Sequence, residues 1–84
     1  MSWYVYMLRC RDGSLYTGYT DDVTRRIAVH SSGKGAKYTR SRLPVTLVYQ
    51  EECADKSAAL KREHAIKQLS KLQKEALILK KETV

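Results

Sequence analysis

The sequence contains no phenylalanine and no asparagine, and it has only one proline and four glycines among its 84 residues. So few chain breakers leave room for regular secondary structure, and no stretch looks like a linker. A chain of this length predicts a single domain, residues 1–84, with a thin core. Because six tyrosines and one tryptophan supply all the aromatic rings, we expect some tyrosines to be kept for their hydroxyl groups.

Cysteine patterns and long apolar runs are also lacking. Cys10 and Cys53 form neither a disulfide framework nor a CxxC metal site. The chain enters a structured segment at once, without the pattern of a signal peptide. No apolar run approaches the roughly 20 residues that a membrane-spanning helix needs. These absences predict a soluble protein of the reducing cytoplasm.

Acidic residues are missing from residues 23–50, within a chain of net charge +7. Locally unneutralised cations are typical of a surface that contacts phosphates, so nucleic acid is the predicted partner. Charge alone leaves DNA, RNA and an anionic membrane open. A membrane role is disfavoured because no apolar helix face with Trp or Phe accompanies the basic stretch. The basic residues of this stretch are Arg25, Arg26, Lys34, Lys37, Arg40 and Arg42.

The spacing of apolar residues predicts an α+β fold, with a three-stranded antiparallel sheet flanked by three helices in the order β-β-α-β-α-α. Gly13 should supply the positive φ of a hairpin turn between the first two strands. Residues 31–42 are predicted to be a loop. The strands are predicted at Trp3–Arg9, Leu15–Tyr19 and Val45–Gln50.

Helix starts are indicated by short polar capping residues. Ser70 and Gln73 form a capping box at the start of the last helix. The buried face of that helix is predicted to carry Leu72, Ala76 and Leu79. The three helices are predicted from near Val23, after Asp21 or Asp22, to before Gly33; from Asp55 or Ser57 to about Leu69; and from Ser70 to about Lys80.

Several polar residues fall where ordinary amphipathic packing does not require them. Tyr6 and Tyr16 lie on either side of one hairpin, so both phenols can face one small volume. Arg26 and His30 are four residues apart and therefore share a helix face. Glu63 falls inside the apolar arc of its helix, where a carboxylate should meet a cation, a metal ion or hydrogen-bond donors. The alternative for Glu63 is a partly exposed helix edge with an ion pair to Lys67.

These residues resemble the motifs of the GIY-YIG nuclease superfamily. Tyr4-Val5-Tyr6 followed by Tyr16-Thr17-Gly18 is similar to its paired strand motif, with Tyr4 and Thr17 in place of the family's Gly and Ile. Arg26 and His30 resemble the Arg-x-x-x-His of its first helix, and Glu63 matches its metal-binding Glu. The segments Gly33–Arg40 and Ala59–Glu63 are similar to the small stand-alone members grouped as UPF0213.

The resemblance implies hydrolysis of a phosphodiester bond by an endonuclease that uses one divalent ion, Mg²⁺ or Mn²⁺. Glu63 would hold the ion, and Arg26 would stabilise charge on the phosphoryl oxygens. Tyr16, helped by Tyr6, would accept the proton of the attacking water. His30 would relay a proton or only hydrogen-bond Tyr6.

Residues outside these motifs are expected to bind the nucleic acid, with DNA preferred to RNA and no obligate protein partner. Tyr38 would stack on a base or pin its loop to the core. Gly18 would let the chain pass closely beneath the site. The predicted binding residues are Gly18, Arg25, Lys34, Lys37, Tyr38, Arg40 and Arg42.

Two other functions remain open at this point. The first is a binding module for DNA or RNA without catalytic activity, favoured by the lack of the Asn that follows the metal Glu in many family nucleases. The second is an adaptor whose basic face meets an acidic protein.

Overall fold

A three-stranded antiparallel sheet forms the centre of the chain in this computed structural model, which describes residues 2–82. The strands run in the order β2-β1-β3, with β1 paired antiparallel to both neighbours. The predicted fold class, and the order of its strands and longer helices, are confirmed. The elements are β1 Trp3–Arg9, β2 Leu15–Thr20, α1 Val23–Ser31, α2 Lys37–Arg40, β3 Thr46–Cys53, α3 Lys56–Lys67 and α4 Lys71–Glu82.

Alternation along β1 divides the domain into two layers, because successive side chains of a strand point to opposite faces. Val5 and Met7, both 0% exposed, belong to the main apolar core, with α3 and α4 packed on this face. Tyr6, between them, faces the other way and hydrogen-bonds to His30 of α1. The core cluster consists of Val5, Met7, Tyr49, Ala59, Ile66 and Ile78.

The turns and caps follow the sequence closely. Gly13 has the expected positive φ of 84°. Asp22 and Asp55 cap α1 and α3 by accepting backbone N–H groups at 3.0 and 2.8 Å. Ser70 and Gln73 bond to each other's backbone N–H groups at 3.1 and 2.9 Å, which confirms the capping box. None of the described helices has the length and apolarity to cross a bilayer.

Strand β3 extends further than predicted, through Glu51 and Glu52 to Cys53. Glu51 and Glu52 both pair with β1, opposite Val5 and Tyr4. Glu51 is tolerated there because the Nε of Arg62 on α3 donates to its carboxylate at 3.0 and 3.2 Å.

The predicted loop at residues 31–42 contains the additional short helix α2. It has no apolar periodicity from which it could be predicted. The turn closes because the Ala36 carbonyl accepts the N–H groups of Thr39 and Arg40, both at 3.1 Å.

The predicted buried face of the last helix is wrong. Leu72 is 80% and Leu79 is 60% exposed, whereas Ile78 is 4% exposed. Both guanidinium NH groups of Arg9 on β1 donate to Glu75 at 2.7 Å. Glu75 and Ile78 lie three residues apart and so share a helix face. The ion pair therefore accompanies a helix orientation in which this face meets the sheet and Leu72 and Leu79 lie outside.

Candidate active site

Tyr6 and Tyr16 meet on the sheet face that carries α1. Tyr6 lies opposite Gly18 in the β1–β2 ladder, and Tyr16 lies opposite Leu8, so the two phenols are diagonal neighbours. Their ring centroids are 6.4 Å apart. A Cβ at Gly18 would lie 2.6 Å from the Tyr6 hydroxyl oxygen, so only glycine leaves room for the phenol. The predicted juxtaposition of the two tyrosines is present.

His30 lies behind the tyrosines, fully buried in the last turn of α1. Its Nε2 is 2.9 Å from the Tyr6 hydroxyl, and its Nδ1 is 2.8 Å from the Thr39 hydroxyl. The edge of the imidazole also contacts the Tyr16 ring, with centroids 5.2 Å apart. His30 is thus the link between the tyrosine pair and α2.

A cavity of about 350 Å³ opens beside the tyrosines. Five residues from the sequence motifs line it, contributed by β1, β2, α1 and α3: Tyr6, Tyr16, Gly18, Arg26 and Glu63. Five more lining residues were not anticipated from the sequence: Trp3, Tyr19, Thr20, Asp21 and Lys56.

Burial and nearby charges set the protonation of the site. Burial raises the pKa of Tyr6 to about 12, against the opposing effect of the Arg26 guanidinium. Burial also raises the pKa of Tyr16, with Arg26 again acting in the opposite direction and Glu63 adding to the rise. Burial lowers the pKa of His30, and Arg26 lowers it further. Both phenols and the imidazole are therefore neutral at neutral pH.

Glu63 combines the two arrangements expected for it. Its side chain, 16% exposed, lines the cavity and also lies 3.6 Å from Lys67 Nζ in an i,i+4 ion pair. Among the described residues no three His, Cys, Asp or Glu side chains gather into a metal-binding cluster. Mg²⁺ does not need one, because it is commonly bound through one or two carboxylates, with waters and substrate phosphates as its other ligands. Glu63 fits such an ion, and Asp21 also lines the cavity.

Apart from Gly18, which lies under Tyr6, the predicted nucleic-acid-binding residues divide into two groups. Arg25 lines a groove with Arg26 next to the cavity, and its side chain is exposed, as are those of Lys34, Lys37 and Arg40. Tyr38 and Arg42 also make contacts within the protein. The Tyr38 ring, although 38% exposed, stacks on Tyr16 with centroids 6.1 Å apart, and the Arg42 guanidinium lies 3.9 Å from the Tyr38 centroid. These contacts pin the chain around α2 to the site.

Arg42 is tied down on its other side as well. Its Nε donates to Asp12 at 3.1 Å, and its NH1 donates to the Tyr38 carbonyl at 2.9 Å. The guanidinium thereby joins the β1–β2 turn to α2.

Two groups of site residues had no clear signal in the sequence. Thr39 is fully buried against His30, but it lies in a stretch that looked like a polar loop. Trp3 and Lys56 were assigned only to the start of a strand and of a helix. Both line the cavity, where Lys56 Nζ lies 5.6 Å from the Trp3 ring centroid. A cation beside an aromatic ring is a common element of nucleic-acid-binding surfaces.

Comparison with known proteins identifies the class to which this fold and site belong. The family described as "GIY-YIG catalytic domain" matches residues 2–76. The chain is 59% identical over 78 residues to UPF0213 protein DP2720 of Desulfotalea psychrophila, covering 92% of this chain and 71% of that protein. It is 60% identical over 74 residues to UPF0213 protein VNG_2274C of Halobacterium salinarum, covering 88% of this chain and 96% of that one.

Solved structures agree with this result. The solution NMR structure of UPF0213 protein BH0048 from Bacillus halodurans is 54% identical, with a TM-score of 0.60 over 93% of this chain and 83% of that chain. The solution NMR structure of EF2693 from E. faecalis is 44% identical, with a TM-score of 0.61, and covers 92% of this chain and 83% of that one. The chain belongs to the GIY-YIG family and, within it, to the UPF0213 proteins.

Proposed function

We propose that this protein is a metal-dependent endonuclease that hydrolyses phosphodiester bonds in nucleic acid, DNA in preference to RNA, in the cytoplasm. The observation that carries the proposal is the convergence of Tyr6, Tyr16, Arg26 and Glu63, from four separate elements, on one cavity. A carboxylate, a guanidinium and two phenols are the groups that such a hydrolysis requires. Ordinary packing of a small α+β domain gives no reason for them to meet.

Arg26 is suited to the phosphate that undergoes reaction. A guanidinium stabilises negative charge on phosphoryl oxygens and can donate two parallel hydrogen bonds to them. Glu63 would hold the divalent ion, and Asp21, which also lines the cavity, is a second carboxylate available to it. When bound, such an ion supplies stabilisation of charge on the phosphate and on the leaving oxygen.

Tyr16 and Tyr6 form the route for the proton of the attacking water. Tyr16 is half-buried and lines the cavity, so its hydroxyl is accessible to a water there, whereas Tyr6 is 1% exposed and directed at His30. A phenol with a pKa near 12 does not ionise on its own at neutral pH. Tyr16 would take a proton from the water while Tyr6 passes one onward to His30, so that no free phenolate forms.

The exposed cations of residues 25–40 would hold the nucleic-acid backbone beside the cavity. Their contacts to phosphate would be largely independent of base sequence. Trp3 and Lys56 would extend this surface along the Glu63 side of the cavity. Tyr38 and Arg42 would act indirectly, by keeping α2 against Tyr16.

A binding module without catalytic activity is the second candidate. It is favoured by the lack of asparagine in the chain. The two functions differ in what Glu63 contributes, because a binding module has no need of a metal ion or of its carboxylate.

The proposal is tested by incubating the protein with labelled duplex, branched and single-stranded DNA and RNA, in Mg²⁺, in Mn²⁺ and in chelator. We expect cleavage that requires the metal ion and falls at least about 100-fold in Glu63→Gln and in Tyr16→Phe. Matched controls are Glu52→Gln, an exposed strand carboxylate, and Tyr4→Phe, a half-buried tyrosine outside the cavity. Both controls should cleave at the wild-type rate.

Two results would contradict the nuclease proposal. Binding without cleavage, unchanged by chelator and by Glu63→Gln, would establish the binding module and overturn the nuclease proposal. Cleavage that both site variants retain at full rate would mean that the activity does not arise from this cavity.

A further inference from the structure

We propose that Thr39 is a positioning residue that fixes His30 in the tautomer protonated at Nδ1, so that Nε2 is free to accept the proton of the Tyr6 hydroxyl. The consequence for reaction rate rests on the proposed nuclease function. The tautomer itself is a property of the folded protein and can be measured without any substrate.

The direction of the hydrogen bonds follows from one carbonyl group. The Thr39 hydroxyl donates to the Ala36 carbonyl oxygen at 3.0 Å, and a carbonyl can only accept. A hydroxyl has a single hydrogen, so a Thr39 hydroxyl that donates to this carbonyl can only accept from His30. The hydrogen in the 2.8 Å contact therefore belongs to Nδ1 of His30.

The protonation of Nδ1 also determines that of Nε2. A neutral imidazole carries one N–H, so with Nδ1 protonated the Nε2 has a lone pair. In the 2.9 Å contact the Tyr6 hydroxyl must be the donor. His30 is 0% exposed, and both its burial and Arg26 keep its pKa below the ordinary value, which maintains the neutral form.

The backbone around Thr39 is built to hold it in this position. Ala36 is the residue that precedes α2, and Thr39 lies in the single turn that follows, so the hydroxyl bonds back over three residues. Thr39 is itself 0% exposed. A Cβ at Gly35 would overlap Nδ1 of His30, so the chain passes directly over the ring. The imidazole has little freedom to flip.

The tautomer decides whether a proton can leave Tyr6. With Nδ1 protonated, the O–H bond of Tyr6 can break while an N–H bond forms at Nε2. The Tyr6 oxygen then takes a proton from Tyr16, and Tyr16 takes one from the attacking water. The imidazolium that results keeps its Nδ1–H bonded to Thr39. In the opposite tautomer Nε2 already carries a hydrogen directed at Tyr6, and no acceptor is available.

The first test is NMR of the imidazole nitrogens in protein with ¹⁵N-labelled histidine, without nucleic acid. The chain has one other histidine, His64, which is exposed and is assigned with the variant His64→Gln. We expect wild-type His30 at neutral pH to show a protonated Nδ1 and an unprotonated Nε2. A protonated Nε2 as the main form would overturn the proposal, whether or not any variant folds.

The second test compares Thr39→Val with Thr39→Ser. Valine has nearly the shape of threonine but no hydroxyl, so the tautomer protonated at Nε2 should become populated, while serine should retain the wild-type spectrum. Thr46→Val, on the exposed end of β3, is the matched control. An unchanged His30 spectrum in folded Thr39→Val would overturn the role of Thr39.

The third readout is the cleavage rate. We expect kcat to fall about tenfold or more in Thr39→Val, with a smaller change in KM, and to be restored in Thr39→Ser. A Thr39→Val protein with wild-type kcat would overturn the proposal. A wild-type protein that cleaves no nucleic acid would instead overturn the proposed function. The NMR measurement would then still decide whether Thr39 fixes the His30 tautomer.

Discussion

Gly18 and Gly35 each face a ring of the candidate site at a distance that leaves no space for a side chain. Gly18 lies under the Tyr6 hydroxyl, and Gly35 lies over the His30 imidazole. Neither has the positive φ of Gly13 and Gly33, so the two pairs of glycines serve different purposes. The turns need conformational freedom, whereas the site needs close approach of the backbone to two rings.

We expect Gly18→Ala to displace Tyr6 and to impair both stability and activity. The added methyl group would lie 2.6 Å from the Tyr6 oxygen and 2.7 Å from its Cζ, and Tyr6 is only 1% exposed, so the ring has nowhere to move. Overpacking of this kind costs about 1–3 kcal/mol. The measurements are urea unfolding and cleavage rate, and a variant with wild-type values for both would contradict the reading of Gly18 as a spacer.

The sequence indicated the motif residues of the site, but neither Thr39 nor half of the residues that line the cavity. Tyr6, Tyr16, Arg26 and Glu63 were recognisable because each breaks the pattern of its own strand or helix. Thr39 breaks no pattern. Its importance arises only because it meets His30, nine residues away along the chain, at 2.8 Å. Spacing within one element carries no information about such a contact.

Among the strands and helices, apolar periodicity predicted β1 correctly but not the buried face of α4, where an ion pair contacts the sheet. β1 spans Trp3–Arg9 as predicted, because a central strand buries both faces and its composition reflects that. The face of α4 was predicted wrongly because the prediction rested on Leu72, Ala76 and Leu79 and left Glu75 out. Two nitrogens of Arg9 hold that carboxylate at 2.7 Å, and Lys71 Nζ lies 3.3 Å from it. A sequence does not reveal which charged residue has a partner on a distant strand.

Replacing Glu75 by Gln should therefore destabilise the domain in a pH-dependent way. The Arg9 guanidinium holds the pKa of Glu75 at about 2, below its ordinary value of 4.5. Because the folded pKa is depressed, the stabilisation is complete above about pH 4.5 and is lost as the pH falls towards 2. The two side chains are about one-third exposed, which limits the effect at pH 7 to about 1 kcal/mol.

The measurement is the free energy of unfolding of wild type and Glu75→Gln between pH 2 and pH 7. The two curves should differ at neutral pH and converge near pH 2. Leu72→Gln is the control on the same helix, since Leu72 is 80% exposed and its replacement should change stability by no more than about 0.5 kcal/mol. If Leu72→Gln destabilised the domain more than Glu75→Gln, Leu72 would contribute more than the ion pair to the docking of the helix.

For the whole molecule, the net charge of +7 is distributed unevenly over the surface. The exposed cations Arg25, Lys34, Lys37 and Arg40 lie on α1 and on the chain through α2, on the same side of the sheet as the tyrosines. Arg42, which looked equivalent in the sequence, is neutralised by Asp12. We therefore expect phosphate contacts from these four residues together with Arg26 in the cavity.

That reduced set makes a quantitative prediction for binding to duplex DNA. Each neutralised phosphate contributes about −0.9 to the slope of log K against log salt concentration, so five contacts give a slope of about −4.5. Lys34→Gln combined with Lys37→Gln should make the slope shallower by about 1.8, because two counterion-releasing contacts are lost. Lys80→Gln, which removes the same charge from a groove beside Tyr49 and Arg62, should leave the slope unchanged. A slope that responds equally to every lysine would indicate diffuse attraction by net charge, and the nucleic acid would then have no defined path across the cavity.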